Sequence, residues 1–179
     1  GYWLNEGGQS ATGALIDHVI QSHPCYETLL AQAKTQGQTI YEVLNALLRK
    51  MAGEPENIAF LTRDIHILPY FHGNRSPRAN PTLTGVISGL KLSRTPEDMA
   101  LHYLATIQAI ALGTRHIIET MNQSGYSIDT VMASGGGTKN PIFVQEHANA
   151  TGCAMLLPEE SEAMLLGGAM MGTIAAGVF

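Results

Sequence analysis

The stretch that decides the fold is residues 134–141, with the sequence SGGGTKNP. The run before it, residues 130–133, predicts a short strand, and Asn140 and Pro141 are suited to cap and begin a helix. Three successive glycines let a flat ligand or a phosphate approach the backbone, and we expect unpaired N–H groups at the start of the helix to face it. A plain glycine turn is the alternative, and the local sequence leaves both open.

A second glycine-rich turn lies at residues 5–17, with the sequence NEGGQSATGALID. Gly8 and Gly13 have the spacing of a phosphate-binding loop, but Ala14 stands where that loop has its lysine. Apolar residues at helical spacing then continue until Pro24, which predicts a helix that begins in the turn. The turn can bring backbone close to a ligand, but it lacks the lysine cation.

The rest of the chain alternates helical and extended patterns, with a capped helix predicted from Thr95 to Gly125. The other predicted elements are helices over residues 26–34 and 39–51, extended segments over 65–71 and 85–92, a strand near 155–157 and a final apolar helix from about Glu162. This order is typical of an α/β domain, and we expect a mixed sheet with flanking helices. We expect the helix from Pro96 and the final helix to form its buried centre.

Composition narrows the classes of function. A length of 179 residues suits one domain, and a charged fraction of 14% is low, which indicates a surface for a partner. The partner could be a second domain of the same polypeptide or a second copy in a homodimer. The net charge of −5 argues against nucleic acid, because phosphate backbones call for a basic face. Cys25 and Cys153 give no disulfide framework, so we expect a reducing cytoplasm.

The final apolar run, residues 163–179, contains no charged residue. It is shorter than the roughly 20 apolar residues that a membrane span needs and contains four glycines, so we predict a buried helix rather than a span and no membrane partner. The chain opens on Gly-Tyr-Trp without a methionine and stops inside this run. We therefore expect a single domain over residues 1–179 that is truncated at both ends.

The sequence contains few other signals of a metal site, a substrate contact or a catalytic group. Asp64, His66 and His72 are separated by even numbers of residues, so in an extended stretch they would lie on the same side. Because no zinc-binding motif accompanies them, we interpret them as ordinary strand and surface residues. Arg75 is equally suited to a substrate contact and to bonding turn carbonyls. We assign no metal ligand, and no hydrolase signature is readable.

Several motifs together resemble one family. In order, they are WLNEGGQSATGALIDHV, FHGNRSPRANP, ATIQAIALGTRHIIETM, SGGGTKNPIFVQ and ESEAMLLGGAMMG. The chain resembles the C-terminal domain of the FGGY carbohydrate kinases, relatives of actin and hexokinase, and within them the ribulokinase-like proteins. The resemblance implies a ribonuclease H-like ATPase domain that binds ATP and Mg²⁺ in a cleft against an N-terminal kinase domain. It implies a sugar or polyol substrate.

The resemblance also implies nucleotide-binding roles for individual residues. These residues are Gly8, Thr12, Gly136, Gly137 and Asn140. The catalytic aspartate and the phosphate-binding hairpins of the family lie upstream of the matching segment, so we assign no catalytic residue here and predict that the chain alone is inactive. Two hypotheses follow: the ATP-binding half of a kinase that phosphorylates a ketopentose such as ribulose or a related polyol, or a non-catalytic ATPase-fold module that binds nucleotide or protein.

Overall fold

The computed structural model describes residues 4–160 and 162–178. Positions 1–3, 161 and 179, which include the start of the first motif and the end of the apolar run, lie outside the described residues. Within the described ranges the chain forms α1 (Gly13–Gln21), α2 (Tyr26–Thr35), α3 (Ile40–Ala52), β1 (His66–Leu68), β2 (Val86–Ser88), α4 (Pro96–Gln123), β3 (Thr130–Met132), α5 (Pro141–Thr151), β4 (Ala154–Leu156) and α6 (Ala163–Ala175). Short 3₁₀ helices cover Pro55–Phe60 and Gly136–Lys139. The predicted elements are present in the predicted order.

Helix α4 is the buried centre of the domain, as expected. Its 28 residues give a helix of about 42 Å. Thr95 caps its start, since the Thr95 Oγ1 atom accepts a hydrogen bond from the Asp98 N–H at 3.2 Å. Met99, Tyr103 and Leu104 are completely buried, and helices α1, α3 and α5 pack against α4. The packed helices hold the loops of the functional site in place.

The strands pair in two separate sheets. Strands β1 and β2 are antiparallel, with Ile67 opposite Ile87, and strands β3 and β4 are parallel, with Val131 opposite Met155. Both strand directions expected of a mixed sheet are present, but among the described residues they occur in two two-stranded sheets. Because a parallel pair needs a crossover connection, α5 joins β3 to β4 and its preceding loop lies at one end of the pair.

The prediction of a buried final helix is wrong for this structure. Met164, Leu165 and Met171 on α6 are each more than 70% exposed. Their apolar character indicates a preference for burial but does not specify which segment provides the cover. Two strand residues, Met132 and Leu156, are also exposed. We call α6 with these two residues the exposed apolar surface. No helix among residues 4–160 and 162–178 is both long and apolar enough to cross a bilayer.

Candidate functional site

One large cavity collects most of the predicted site residues. Its volume is about 1120 Å³, and α1, α3, α4, α5 and the loop before α5 all contribute to its wall. Thr12, Gly136, Gly137 and Asn140 line it together, although Thr12 lies far from the others in the sequence. Gly8 does not line it, although its neighbour Gln9 does. Such a volume is ample for a nucleotide-sized ligand.

The glycines of the 134–141 loop differ in what surrounds them. A Cβ atom on Gly136 would have no heavy atom within 4 Å, so this backbone borders open space. A Cβ on Gly137 would lie 2.9 Å from the Phe143 ring, so this glycine permits close packing inside the wall. Among the described residues, no acceptor bonds the N–H groups of Gly136 or Gly137. The loop therefore presents free backbone donors.

Asn140 caps α5, as predicted. Its Oδ1 atom accepts hydrogen bonds from the N–H groups of Ile142 at 3.2 Å and Phe143 at 3.4 Å, and its carbonyl accepts from Val144. Pro141 has no N–H to offer. The expectation that the start of α5 offers unpaired N–H groups is therefore wrong, because the cap already occupies them. An anion would find no free donor in the first turn of this helix.

Two residues that sequence reasoning missed hold the Asn140 side chain. The Asn45 Nδ2 atom donates to Asn140 Oδ1 at 3.0 Å, and the Asn140 Nδ2 atom donates to Tyr103 Oη at 2.6 Å. The Tyr103 hydroxyl donates in turn to Asn45 Oδ1 at 3.1 Å, which closes a ring of three hydrogen bonds. Burial raises the pKa of Tyr103 to about 12, so its phenol stays neutral and can donate.

A signal for Asn45 was present in the sequence. It interrupts the apolar face of α3, where Val43, Leu44 and Leu48 are buried. A polar residue in such a face needs a hydrogen-bond partner when the helix packs. The sequence could not identify that partner, since Tyr103 lies on another helix, 58 residues away.

Unlike the start of α5, the start of α1 has free backbone N–H donors. The Thr12 side chain makes no cap hydrogen bond, while its carbonyl accepts from Leu15 and Ile16. Among the described residues, no acceptor bonds the N–H groups of Gly13 or Ala14. The first turn of α1 therefore has unpaired donors where Thr12 and Gly13 line the cavity.

The turn before α1 is fixed against α4 and against the 72–81 loop. The Gln9 Nε2 atom donates to the Ile110 carbonyl and to Thr114 Oγ1, both at 2.9 Å. The Gly8 N–H donates to Ser76 Oγ at 3.1 Å. These contacts set the direction in which α1 leaves the turn.

Arg75 lies against Gly8 rather than in the cavity wall. A Cβ on Gly8 would be 3.0 Å from the Arg75 Nη1 atom, and the guanidinium pairs with Glu6. The Arg75 side chain therefore lies close to the Gly8 backbone, and the nucleotide contact of Gly8 stays a prediction.

His147 is a further cavity residue that sequence reasoning missed. It is buried in α5, where its ring packs against Phe143 with the ring centroids 4.1 Å apart. The His147 Nδ1 atom bonds the Phe143 carbonyl at 2.8 Å. Burial lowers the pKa of His147, although the bond to the Phe143 carbonyl opposes the shift. Before folding, His147 was distinguishable only as a histidine within a predicted helix.

Another polar cluster lies outside the cavity wall. His23, Asp98 and His102 place potential ligand atoms within 4.8 Å of one another. The Cys25 N–H donates to His23 Nδ1, so the proton of the neutral ring is on Nε2, which donates to Asp98 at 3.2 Å. A metal would need the lone pair that this proton occupies. The hydrogen bonds therefore fit a structural cluster at the start of α4.

The fold defines the class of the protein. It matches the solved structure of a ligand-bound xylulose kinase from Lactobacillus acidophilus with a TM-score of 0.63, covering 93% of this chain and 30% of that one. The sequence identity is 20%, so this likeness shows the fold, which is the ribonuclease H-like ATPase fold predicted above.

Sequence comparison then gives the family. Residues 1–176 match the FGGY family of carbohydrate kinases, C-terminal domain, and the chain belongs to this family. It is 51% identical over its whole length to a human FGGY carbohydrate kinase domain-containing protein, and 35% identical to a D-ribulokinase of Saccharomyces cerevisiae. The chain spans 32% of the human relative and 26% of the yeast relative.

Proposed function

We propose that this chain is the ATP-binding half of a cytoplasmic kinase that transfers the γ-phosphoryl group of ATP to a hydroxyl of a ketopentose such as ribulose. One observation carries the proposal. One cavity of about 1120 Å³ is lined by four of the five residues for which the family resemblance implies nucleotide contacts, namely Thr12, Gly136, Gly137 and Asn140. The kinase family and the D-ribulokinase relative support the reaction and the sugar class.

The groups in the cavity suit a nucleotide. Free N–H groups at the start of α1 and in the 134–141 loop can donate to phosphate or ribose oxygens. Arg49 adds a positive charge to the cavity wall and has no acidic partner among residues 4–160 and 162–178. Asn140 contributes chiefly by positioning, because its side chain is bonded to Asn45 and Tyr103.

Mg²⁺ would be held mainly by the phosphates. The family resemblance assigns no metal ligand to this segment, and the two cavity carboxylates each accept hydrogen bonds on one oxygen, Asp17 from the Tyr41 hydroxyl and Glu42 from Thr39. When bound, the ion neutralises charge that develops on the phosphates during transfer. We therefore assign it no ligand from the described residues.

The catalytic base and the sugar site belong, in this proposal, to the additional sequence that the longer relatives contain. The exposed apolar surface supports a companion domain of the same polypeptide, since its covering would bury side chains such as Met164 and Met132. A homodimer through this surface is the alternative.

The test uses the full-length protein. ADP release is followed with ATP and, separately, D-ribulose, L-ribulose, D-xylulose and glycerol. We expect a ketopentose to be phosphorylated with kcat/KM at least about tenfold above that for glycerol, a difference that pocket contacts commonly produce. Failure of all the ketopentoses, with a polyol preferred, would contradict the substrate class.

The cavity offers backbone donors and Arg49, groups that suit nucleotide binding, and no described residue is assigned as a catalytic base, which also fits a second function, a non-catalytic module that binds nucleotide. Calorimetry with ATP, alongside the same assay, separates the two. Binding of ATP without phosphorylation of any sugar or polyol would support the module and would contradict the kinase.

A further inference from the structure

His147 presents an unpaired hydrogen-bond acceptor to the cavity. Its Nδ1 atom bonds the Phe143 carbonyl, which can only accept, so the proton of the neutral ring is on Nδ1. The Nε2 atom therefore carries a lone pair. Among the described residues no donor reaches it, and the residue lines the cavity.

The Nε2 atom is accessible although the residue is 6% exposed. Among the described residues, every side-chain nitrogen or oxygen that is sealed from solvent has a hydrogen-bond partner. Because the Nε2 atom has no such partner, it must be in contact with accessible space. His147 lines the cavity, and we infer that this is the space that Nε2 touches. A largely buried acceptor that borders a cavity is suited to a ligand that brings a donor.

The surroundings of His147 select the part of the ligand that lies there. Phe143 stacks on the imidazole ring, and Ile110 and Met155 are further apolar members of the cavity wall. Phosphates and ribose hydroxyls need several polar partners, whereas a flat base needs apolar surface and few hydrogen bonds. The free N–H groups suited to phosphate lie elsewhere, at Gly13 and Gly136.

We propose that the His147 Nε2 atom accepts a hydrogen bond from the exocyclic amino group of adenine, and that this contact selects adenine among the purines. The inference rests on the proposed function, because it names the base-reading residue of the same cavity. Hypoxanthine and guanine carry an oxygen at the same ring position, so two lone pairs would face each other. A site built to bond a donor rejects an analogue that lacks it.

The first experiment needs no substitution. The full-length protein is assayed with its best sugar and with ATP, purine riboside triphosphate, which lacks the amino group, and inosine triphosphate. We expect KM for the purine analogue to exceed KM for ATP by about fivefold, the worth of one neutral hydrogen bond, and KM for the inosine nucleotide to be higher still. Equal KM values for ATP and the purine analogue would overturn the inference.

The second experiment assigns the selectivity to His147. In His147→Leu the ratio of the two KM values should fall to about one, and in His147→Gln, whose side-chain carbonyl can accept, much of the ratio should return. His116→Leu on α4, outside the cavity wall, is the matched control and should keep the wild-type ratio. A purely structural role for His147 would raise both KM values by one factor and leave the ratio unchanged, which would overturn the inference.

A spectroscopic measurement gives an independent result. In protein labelled with ¹⁵N at histidine, the His147 Nε2 resonance should shift when ATP is added and shift less with purine riboside triphosphate. An identical shift with both ligands would overturn the inference but leave the proposed function standing. Absence of binding by any nucleotide would overturn both.

Discussion

The Oδ1 atom of Asn140 accepts a hydrogen bond from the Nδ2 atom of Asn45 at 3.0 Å, although 95 residues separate them in the chain. Tyr103 completes the ring, so one hydrogen-bonded group joins α3, α4 and the loop before α5. Asn45 and Tyr103 are buried, which makes each bond costly to leave unmade. The position of the 134–141 loop at the cavity therefore depends on Asn45 and Tyr103, which lie on α3 and α4.

Asn45→Leu should destabilise the protein and weaken nucleotide use. The Tyr103 hydroxyl would lose its acceptor, and each buried group left unpaired costs about 1–3 kcal/mol. We expect a lower Tm by calorimetry and a higher KM for ATP in the full-length enzyme, because the loop is no longer fixed. Asn57→Leu, which alters an exposed amide, is the control.

Tyr103→Phe tests whether the ring acts as a unit. It removes the hydroxyl that Asn45 accepts from, so the double variant Asn45→Leu/Tyr103→Phe should cost less than the sum of the single changes. Additive losses of Tm would show that Asn45 and Tyr103 stabilise the protein independently.

Local chemistry made part of this structure predictable. The Thr95-Pro96 pair specified the start of α4 and Asn140 specified the cap of α5, because capping depends on residues a few positions apart. The ring of Asn45, Tyr103 and Asn140 was not predictable, since its members meet only after three segments pack. For α6, hydropathy predicted a buried helix and the prediction was wrong, because apolar character does not specify which segment covers the helix.

Gly136→Val should raise KM for ATP more than KM for the sugar. A Cβ on Gly136 meets no protein atom within 4 Å, and its φ lies outside the left-handed region, so the added side chain would occupy cavity space without straining the fold. We expect an unchanged Tm. Ala31→Val, at an exposed position of α2, provides the matched control. If the ATP constant of Gly136→Val equals that of the wild type, the loop does not bind nucleotide.

Glu146→Gln should change how stability depends on pH. Burial raises the pKa of the Glu146 carboxyl, although hydrogen bonds from Gln108 and Asn149 oppose the shift. A raised pKa means that the folded state binds more protons than the unfolded state above the ordinary value of 4.5. The stabilising contribution is therefore complete below that pH and is lost as pH rises through the folded-state pKa.

The measurement is Tm between about pH 4 and pH 8, where buried carboxylates commonly titrate. A glutamine can still accept from Gln108 and cannot ionise, so the Tm of Glu146→Gln relative to the wild type should increase as pH rises. Glu56→Gln, an exposed change, should give a constant difference. A constant difference for Glu146→Gln as well would show that folding does not raise the pKa of this carboxyl.

The 179-residue chain assayed alone should have no detectable kinase activity and should bind ATP weakly or not at all. Its cavity presents backbone donors and Arg49, but the family resemblance places the catalytic aspartate and the phosphate-binding hairpins upstream of this segment. Loss of a general base typically costs 10²–10⁴-fold in rate, and loss of the companion domain's phosphate contacts would lower the rate further. The chain and the full-length protein are purified in parallel, ribulose phosphorylation is assayed, and ATP affinity is measured by calorimetry. Turnover by the chain within about tenfold of the full-length rate, far above the expected loss of a general base, would mean that it contains a catalytic carboxylate, with Asp17, Asp64 and Asp129 as the first candidates.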